Sequence, residues 1–512
     1  MKPIIGTILI VIACGGHGLA AMPAHADDAK IRPAAVAGQF YPADSATLAR
    51  AVDCYLGDAI APSPERPIAI IAPHAGYIYS GQIDADAFRQ AAPFDYDVIV
   101  LLGTNHTTPE FSGVSIYPEG GFQTPLGEAK IDERLASRLL AADKDFTFAE
   151  SVHAHEHSIE VLLPFVQRLF PRATILPVVI GAPDFDLCSR FGEALATALA
   201  GRRALIVASS DLSHYPEYED ARRVDRETLR TIASLDARAI QGTMQRQMRG
   251  NTANLVTCAC GEGPILAAAV AARRLGSRGA RIISYANSGE TAVGDRARVV
   301  GYGAVAIVRD SVPASRDVFG DSALGQTGPA ALSADGKRAL LLLARKTIRQ
   351  YLEAQTAPLA RGFDVSLRRN AGAFVTLNEH GQLRGCIGHM AGDLPLCQVV
   401  GYCALQAAFN DSRFPPLEPE ELPLAQIEIS VLTPYQPIAA YTDIQIGRDG
   451  VLMEKDGNSA VFLPQVAPEQ GWDRDQMLEH LCAKAGLPPG SWRTGAVFYT
   501  FQATVFSESD FR

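Results

Sequence analysis

Residues 97–106 read DVIVLLGTNH, an apolar run that ends abruptly in polar residues. An unbroken apolar run of this length is typical of a strand that is buried on both faces of a parallel sheet. Five further runs predict strands in the same way: PIAIIA (67–72), ATILPVVIG (173–181), ALIVASS (204–210), RIISYA (281–286) and AVAIV (304–308). Helical patterns separate most of these runs. The alternation predicts an α/β domain with a largely parallel sheet over residues 31–309.

A second unit follows the first after a change in composition. Residues 310–335 are rich in Ser, Pro, Gly, Asp and Ala without periodicity, which predicts a linker at 310–333. The next stretch, GKRALLLLARKTIRQYLEAQ (336–355), has the pattern of an amphipathic helix. Strand-like runs follow at 373–379, 426–433 and 495–508. We therefore predict a C-terminal α+β domain over residues 334–512.

Composition narrows the class of protein. With 512 residues, 47% hydrophobic and 20% charged, the chain is long enough for two or more folded domains. Its net charge of −10 argues against direct binding of nucleic acid, which needs clustered Lys and Arg. Nine cysteines are scattered without a Cys-x-x-Cys motif, so we expect no dense disulfide framework.

The N-terminus has the features of an export signal. Lys2 precedes the apolar run ILIVIA, and small residues lead to Ala26. This pattern predicts a signal peptide over residues 1–26 and export to the periplasm. The apolar run is too short to span a membrane. An alternative is that Val11–Cys14 is a lipobox, in which case Cys14 would carry a lipid anchor.

Candidate metal ligands follow three of the predicted strands. His74 comes just after 67–72, His106 comes after 97–103, and Asp211 and His214 come after 204–210. The carboxyl ends of parallel strands meet at one edge of the sheet, so we expect these side chains to converge there. Neutral imidazole and carboxylate suit divalent iron, copper or zinc. The alternative for any single histidine is a hydrogen-bonded structural role.

Six separated motifs resemble one family. They are AGQFYPAD (37–44), APHAGYIYSG (72–81), LLGTNHT (101–107), EHSIEVLLPFVQ (156–167), SSDLSHY (209–215) and CGEGPI (260–265). This set resembles the Memo family, also called AmmeMemoRadiSam system protein B, over residues 31–309. The resemblance implies a fold similar to that of class III extradiol ring-cleaving dioxygenases.

The resemblance also implies the roles of individual residues. It assigns the metal to His74, His106 and Cys260, with Asp211 as the alternative third ligand. It also assigns catalytic roles to Asp211 and His214. Glu156, His157 and Tyr77 are implied to line the substrate pocket. The alternative for Cys260 is a small buried side chain, but a helix after Cys260 and a nearby metal would favour its thiolate.

These implied roles point to an activity. A thiolate ligand favours copper or iron, so we expect a redox-active, dioxygenase-like metal centre. The alternatives are hydrolysis by a zinc-bound water and a non-catalytic metal-binding or scaffold protein.

The stretch VHAHEHSIE (152–160) contains three of the eleven histidines. We expect one helix over 157–170 that begins near Glu156, with Glu156 and Glu160 on the same face. His153 and His155 precede the family motif, and we expect both to be solvent-exposed loop residues.

Four motifs of the second unit resemble another family. They are LRGCIGHM (383–390), AAFNDSRFPPL (407–417), EISVLTP (428–434) and VFLPQVAPEQGWDRDQMLEHLCAKAGL (461–487). They resemble the AMMECR family, AmmeMemoRadiSam system protein A, over residues 334–512. Proteins of the two families are often encoded together with a radical S-adenosylmethionine (radical SAM) enzyme. The resemblance therefore implies such a partner and a macromolecule-modification pathway.

Cys386 lies between two glycines in the first of these motifs, RGCIG. The glycines are expected to allow close backbone approach and unusual backbone angles. One interpretation is a reactive, catalytic thiol whose pKa Arg384 lowers, with His389 as the nearest candidate base. The other is a tight structural turn with a buried cysteine. Arg413 is expected to contact an anionic group of the substrate or to form a salt bridge within its loop.

Overall fold

The computed structural model describes residues 31–309, 318–319 and 332–511. The predicted signal peptide, the candidate lipid anchor at Cys14 and most of the predicted linker lie outside these ranges. Within them, no helix is both long enough and apolar enough to cross a membrane.

The N-terminal domain combines eleven strands and ten helices among the described residues. The strands are β1 (Ile31–Arg32), β2 (Pro67–Ala72), β3 (Val98–Thr104), β4 (Val114–Ile116), β5 (Gly121–Thr124), β6 (Gly127–Lys130), β7 (Phe146–Thr147), β8 (Thr174–Ile180), β9 (Ala204–Ser209), β10 (Gly279–Asn287) and β11 (Gly301–Val308). The helices are α1 (Ser45–Gly57), α2 (Tyr77–Ala91), α3 (Glu133–Leu140), α4 (Glu150–Ala154), α5 (His157–Glu160), α6 (Leu163–Leu169), α7 (Phe185–Leu199), α8 (Tyr218–Ala233), α9 (Ala237–Arg249) and α10 (Glu262–Arg274).

An eight-stranded sheet organises this domain, in the order β10-β11-β2-β9-β3-β8-β4-β7. The four central strands β2, β9, β3 and β8 run parallel. Their side chains are almost entirely buried, because helices cover both faces. The α/β prediction is confirmed.

The expectation of a largely parallel sheet holds only for the centre. Strands β10 and β11 pair antiparallel with each other, β11 pairs antiparallel with β2, and β4 pairs antiparallel with β8. The segment between β10 and β11 contains a short 3-10 turn and no crossover helix, so the chain reverses direction.

The helix predicted over 157–170 is interrupted. Helix α5 ends at Glu160, and α6 begins at Leu163 with Pro164 in its first turn. Proline lacks the backbone N–H of an ordinary helical residue, so it fits the start of a helix and not its interior.

The C-terminal domain has two four-stranded sheets. Its strands are β12 (Ala373–Glu379), β13 (Gln382–His389), β14 (Ala425–Leu432), β15 (Gln436–Pro437), β16 (Gly450–Lys455), β17 (Asn458–Phe462), β18 (Val497–Phe501) and β19 (Ala503–Ser507). Its helices are α11 (Ala334–Ala354), α12 (Val365–Arg368), α13 (Leu396–Phe409), α14 (Val466–Gln470) and α15 (Arg474–Lys484).

The two sheets of this domain have the orders β13-β12-β14-β19 and β15-β18-β16-β17. Helices α11 and α13 pack against one face of the first sheet and form a common core with it. The predicted strand over 495–508 divides at Gln502 into β18 and β19, which belong to different sheets. The prediction of a separate, sheet-rich C-terminal domain is confirmed.

The two domains contact each other directly. Helix α1 packs against α11, and the Asp58 carboxylate accepts hydrogen bonds from Lys346 and Gln350. Arg361 reaches from the C-terminal domain to Asp86, a fully buried carboxylate of α2, and forms two hydrogen bonds with it. A buried charge is costly without a partner, so this pair ties the domains together.

Candidate metal site

The predicted ligands lie at the carboxyl ends of three neighbouring strands. Strands β2, β9 and β3 are adjacent and parallel. Their ends lead into the loops that carry His74, Asp211 and His106 respectively. The structure therefore brings these three loops to one edge of the sheet, where ligands of open α/β sheets bind.

The hydrogen bonds of His74 define its tautomer. The Ser209 hydroxyl donates to the carbonyl oxygen of Ser158 at 2.6 Å, so its oxygen is left to accept from His74 Nδ1 at 2.7 Å. His74 Nε2 is consequently unprotonated, and it lies 3.2 Å from the Sγ of Cys260. Burial, together with the neighbouring histidines, lowers the pKa of His74 well below its usual value, so the ring is neutral.

His106 is oriented by a buried carboxylate. Glu156 accepts a hydrogen bond from the backbone N–H of His106 at 2.6 Å and another from its Nδ1 at 2.9 Å. Burial alone would raise the pKa of Glu156, but the contacts with His106 and His157 outweigh it and lower this pKa to about 2. The carboxylate is thus ionised and accepts a hydrogen bond from Nδ1–H of His106. This tautomer leaves Nε2 of His106 unprotonated. Metal-binding histidines commonly have such a carboxylate partner.

The ring of His157, which the family resemblance assigns to the substrate pocket, lies beside those of His74 and His106. Its ring centroid is 4.5 Å from that of His106 and 5.4 Å from that of His74. The ring of Phe40 packs against it, with a centroid distance of 4.7 Å. Burial lowers the pKa of His157 to about 4, so this ring is also neutral near pH 7.

Asp211 and His214 form the part of the site that follows β9. The buried Asp211 carboxylate accepts the backbone N–H of His74 at 2.8 Å, and burial raises its pKa. His214 donates Nδ1–H to the carbonyl oxygen of Leu212 at 2.9 Å, an arrangement that leaves Nε2 available. His214 is half-buried, and it is close enough to lower the pKa of both His74 and Asp211.

Cys260 approaches the end of β9 because a glycine follows it. A Cβ atom on Gly261 would lie 2.2 Å from the carbonyl oxygen of Ser209, so only glycine allows this approach. The helix expected after Cys260 is α10. Burial and the Asp211 carboxylate nevertheless raise the pKa of Cys260 well above its usual value. The start of α10 alone therefore does not favour the thiolate, and the expectation that it does so together with a nearby metal stays a prediction.

Two sets of potential metal ligands meet in this site. The donor atoms of His74, His106 and His157 lie within 4.8 Å of one another, and so do those of His74, Asp211 and Cys260. His74 is common to both sets. The ligands implied by the family resemblance, His74, His106 and Cys260, are divided between the two sets.

Tyr77 is a core residue more than a pocket residue. Its side chain is buried, and its hydroxyl donates to the carbonyl oxygen of Val161 at 2.9 Å. The ring packs 5.3 Å from that of Phe165. Tyr77 thereby holds the start of α2, and its hydroxyl is already engaged.

The histidines at 153 and 155 differ in exposure. His155 is exposed, as expected. The expectation for His153 is wrong: its side chain is buried, with Nε2 2.9 Å from the Ser115 hydroxyl, and burial lowers its pKa to about 3. Arg32 donates to the backbone carbonyl of His153 and pairs with Glu160, so the first strand closes over this segment.

The sequence did not identify some of the residues that hold the candidate ligands in place. Ser209 and Ser158 set the tautomer of His74, and Phe40 covers His157. All three lie within the quoted motifs, but nothing in their residue type or spacing identifies the partner that each contacts.

The second candidate site surrounds Cys386 on β13. The Thr376 hydroxyl donates to its Sγ at 3.2 Å, and burial raises its pKa. The flanking glycines allow close packing, because a Cβ on Gly385 would lie 2.2 Å from the carbonyl oxygen of Ala407 and one on Gly388 would lie 2.3 Å from the Phe374 ring. Neither glycine has a positive φ, so the expected unusual backbone angles are absent.

Arg384 does not activate this thiol. Its guanidinium forms two hydrogen bonds with Glu421, at 2.7 and 2.9 Å, and the proposed lowering of the Cys386 pKa is wrong. His389 pairs with Asp393 at 2.6 Å and points to the opposite face of β13, as the three-residue spacing requires. It is therefore not the base for Cys386.

Arg413 forms the salt bridge that was one of its two expected roles. It binds both carboxylate oxygens of Asp411, and it donates to the carbonyl oxygen of Cys386 at 3.1 Å. Asp411 in turn accepts the backbone N–H of Cys386 at 2.9 Å. The Arg413 side chain remains 53% exposed, so part of the guanidinium still faces solvent.

Fold and site together define an α/β protein with a histidine-rich donor cluster at the carboxyl ends of parallel strands, joined to a second, sheet-rich domain. The family model described as Memo-like protein matches residues 32–306, and that of AMMECR1 matches residues 341–506. The chain belongs to the Memo-like family and carries an AMMECR1 domain after it. Both resemblances inferred from the motifs are confirmed.

Archaeal proteins are among the similar ones. A MEMO1 family protein of Methanothermobacter thermautotrophicus is 35% identical over 282 residues, which are 53% of this chain and 98% of that protein. One from Methanosarcina mazei is 38% identical over 282 residues, 54% of this chain and 99% of that protein. The solved structure of an uncharacterized protein from Pyrococcus horikoshii matches with 36% identity and a TM-score of 0.34, over 35% of this chain and 93% of that chain.

Proposed function

We propose that the Memo-like domain binds one iron or copper ion and is a redox enzyme with dioxygenase-like chemistry. The observation that carries the proposal is the tautomer of two histidines. Ser209 and Glu156 accept hydrogen bonds from Nδ1–H of His74 and His106 respectively. Nε2 of each ring is therefore unprotonated, and both rings belong to one cluster of donors. This arrangement is typical of metal-binding histidines.

The donor set fits such an ion. Imidazole, carboxylate and thiolate together suit iron or copper better than calcium or magnesium. His74 and His106 would hold the ion, with Cys260 and Asp211 on one side and His157 on the other. When bound, the ion would supply one-electron redox chemistry and activation of dioxygen. The inferred similarity in fold to class III extradiol dioxygenases supports the same reaction class.

The remaining residues of the site have roles of their own in this proposal. His214 gives its Nδ1 proton to a backbone carbonyl, so its Nε2 accepts and returns a proton during the reaction. Phe40 packs against the His157 ring and helps to exclude water from it. Glu156 keeps the His106 ring in place.

Metal content tests the proposal directly. We expect about one iron or copper per chain in the wild type and in His155→Ala, an exposed histidine of the same segment. We expect loss of the metal in His74→Ala and His106→Ala, with folding checked by circular dichroism. Metal retained in both variants would contradict the proposal, and stoichiometric zinc would favour hydrolysis.

Two further variants separate the two ligand sets. If the ion uses His74, His106 and His157, then His157→Ala loses the metal and Cys260→Ser keeps it. If the ion uses Cys260 instead, Cys260→Ser loses the metal and His157→Ala keeps it. The metal-loaded wild type then shows a thiolate-to-metal absorption band that Cys260→Ser lacks.

A non-catalytic metal-binding or scaffold role is the second candidate. The structure offers five donors in two sets of three that share His74, and an ion held by donors from both sets would have no open position for a substrate. Dioxygen consumption by the reduced, metal-loaded protein separates the two functions. Uptake that depends on His74 supports the enzyme, and no uptake supports the scaffold.

The AMMECR1 domain serves as a substrate adaptor in this proposal. The raised pKa of Cys386 keeps the thiol protonated near pH 7, so the exposed part of Arg413 is the better candidate for substrate contact. We extend the proposal to a radical SAM partner, which co-purification would reveal. The proposal also includes export to the periplasm. N-terminal sequencing of the mature protein should then find Asp27 as the first residue, or lipidated Cys14 if the lipobox is used.

A further inference from the structure

A cavity of about 410 Å³ lies where the two domains meet. The N-terminal domain contributes Tyr218, Arg222 and Arg296 to its lining, and the C-terminal domain contributes Arg361, Arg368 and the start of α13. None of the metal-site donors lines it. A cavity of this volume accommodates a small organic molecule.

The lining carries more positive than negative charge. Its described residues include four arginines and one carboxylate, Glu290. Arg222 pairs with Glu290 at 3.1 Å, and Arg361 is held by the buried Asp86. Within the described part of the chain, Arg296 and Arg368 have no carboxylate at ion-pair distance.

The guanidinium groups of these two arginines are also only partly hydrogen-bonded. Arg296 donates from Nη2 to Gln398 at 3.2 Å and lies over the Tyr218 ring, 3.9 Å from its centroid. Its Nε is buried and has no partner among the described residues, and the same is true of Arg368 Nε. A buried donor without an acceptor is unfavourable, so an anion beside these guanidinium groups would offset part of that cost.

Helix α13 adds to the positive potential of the cavity. Its N-cap residue is Pro395, which makes no side-chain capping bond, and its first turn contains no acidic residue. Pro395, Cys397 and Gln398 all line the cavity. The free amides and the dipole of a helix N-terminus favour anions, phosphate in particular.

Much of the remaining lining is apolar. Ile60, Ile283, Phe319 and Leu359 form walls beside the arginines. We propose that this interdomain cavity binds a phosphate ester of a small organic molecule, with Arg296, Arg368 and the start of α13 around the phosphate and the apolar walls around the organic group. Such a ligand would contact both domains and stabilise their association.

Calorimetric titration of the full chain tests this proposal, with inorganic phosphate and n-butyl phosphate as probes at constant ionic strength. We expect both to bind and n-butyl phosphate to bind more tightly, because its alkyl group reaches the apolar walls. Arg296→Gln and Arg368→Gln should each weaken binding at least about tenfold, since each removes a charge-assisted hydrogen-bond donor.

Arg349→Gln is the matched control, because Arg349 is an exposed arginine of α11 outside the cavity. Its affinity should equal that of the wild type. The proposal is overturned if the wild type binds neither probe, or if all variants bind with equal affinity. Thermal unfolding in chloride shows which variants are folded. If only one of the two cavity variants folds, its affinity alone decides whether the cavity is the binding site.

Discussion

Glu156 decides the orientation of His106 from a buried position. Its carboxylate accepts from the backbone N–H and from Nδ1 of His106, and it also accepts the backbone N–H of Ser158 at 2.9 Å. One ionised side chain therefore links the loop after β3 to the start of α5. A residue that acts through such contacts is a positioning residue for the metal site.

We expect Glu156→Gln to lower metal affinity by about 10- to 100-fold while the fold persists, because the carboxylate that orients His106 is replaced by a neutral amide. Competition with a chelator measures this change. Glu150→Gln, an exposed carboxylate on the neighbouring helix α4, should leave the affinity unchanged. Equal affinity in both variants would show that Glu156 has no such role.

Asp225 on α8 predicts a pH-dependent stability. It accepts the backbone N–H of Ser213 at 2.9 Å and the hydroxyl of Tyr285 at 2.8 Å, and burial raises its pKa from 3.8 to about 7. The folded protein therefore favours the protonated carboxyl of Asp225. This preference contributes its full stabilisation below about pH 3.8, and the contribution is lost as the pH rises through 7.

Relative to Asp225→Asn, we expect the unfolding free energy of the wild type to fall by about 4 kcal/mol between pH 4 and pH 8. Urea unfolding at several pH values measures it. Glu454→Gln, which changes an exposed carboxylate, should show no such trend. A difference between wild type and Asp225→Asn that is independent of pH would contradict the expectation.

At the scale of elements, the contact between α10 and β9 places Cys260. Helix α10 also packs against β3 and α7, so its first turn is held from several sides. Gly261 is the residue that permits the approach, since its backbone lies against Ser209 and Ser210.

Gly261→Ala should therefore destabilise the protein by about 1–3 kcal/mol, the usual range for an overpacked contact. It should also weaken metal binding if Cys260 is a ligand. Gly242→Ala is the matched control, because that glycine lies in α9 with space for a methyl group and should gain about 0.5–1 kcal/mol. Denaturant unfolding and metal titration of both variants measure the effects.

For the whole molecule, the contact between the domains depends on buried charge. Asp86 is inaccessible to solvent and receives Arg361 from the other domain, while Arg361 also donates to the carbonyl oxygen of Asp58. Removing the arginine would leave a carboxylate buried without its partner.

Arg361→Ala should cost about 3–5 kcal/mol. Both tryptophans, Trp472 and Trp492, lie in the C-terminal domain, so fluorescence follows its unfolding while circular dichroism follows the whole chain. We expect these two transitions to separate in the variant. Arg190→Ala, which removes an exposed ion pair with Asp143, should cost at most about 1 kcal/mol. Coincident, unshifted transitions in Arg361→Ala would contradict the prediction.

The sequence by itself determined the two domains, the alternation of strands and helices, and the loops that carry His74, His106 and Asp211. Apolar periodicity and strand ends are local properties of the chain, so a reader of the sequence can find them. The antiparallel outer strands were not predictable in this way, because strand order is not local.

The tertiary structure alone decided which groups meet. Ser209 contacts His74 across 135 residues, and the carboxylate of Glu421 takes Arg384 away from Cys386. The His153 ring is buried because Tyr117 and Phe122, from an earlier part of the chain, pack against it. Hydrogen-bond partners and pKa values arise from such long-range contacts, and the physical reason is that burial and neighbouring charge exist only once the chain has folded.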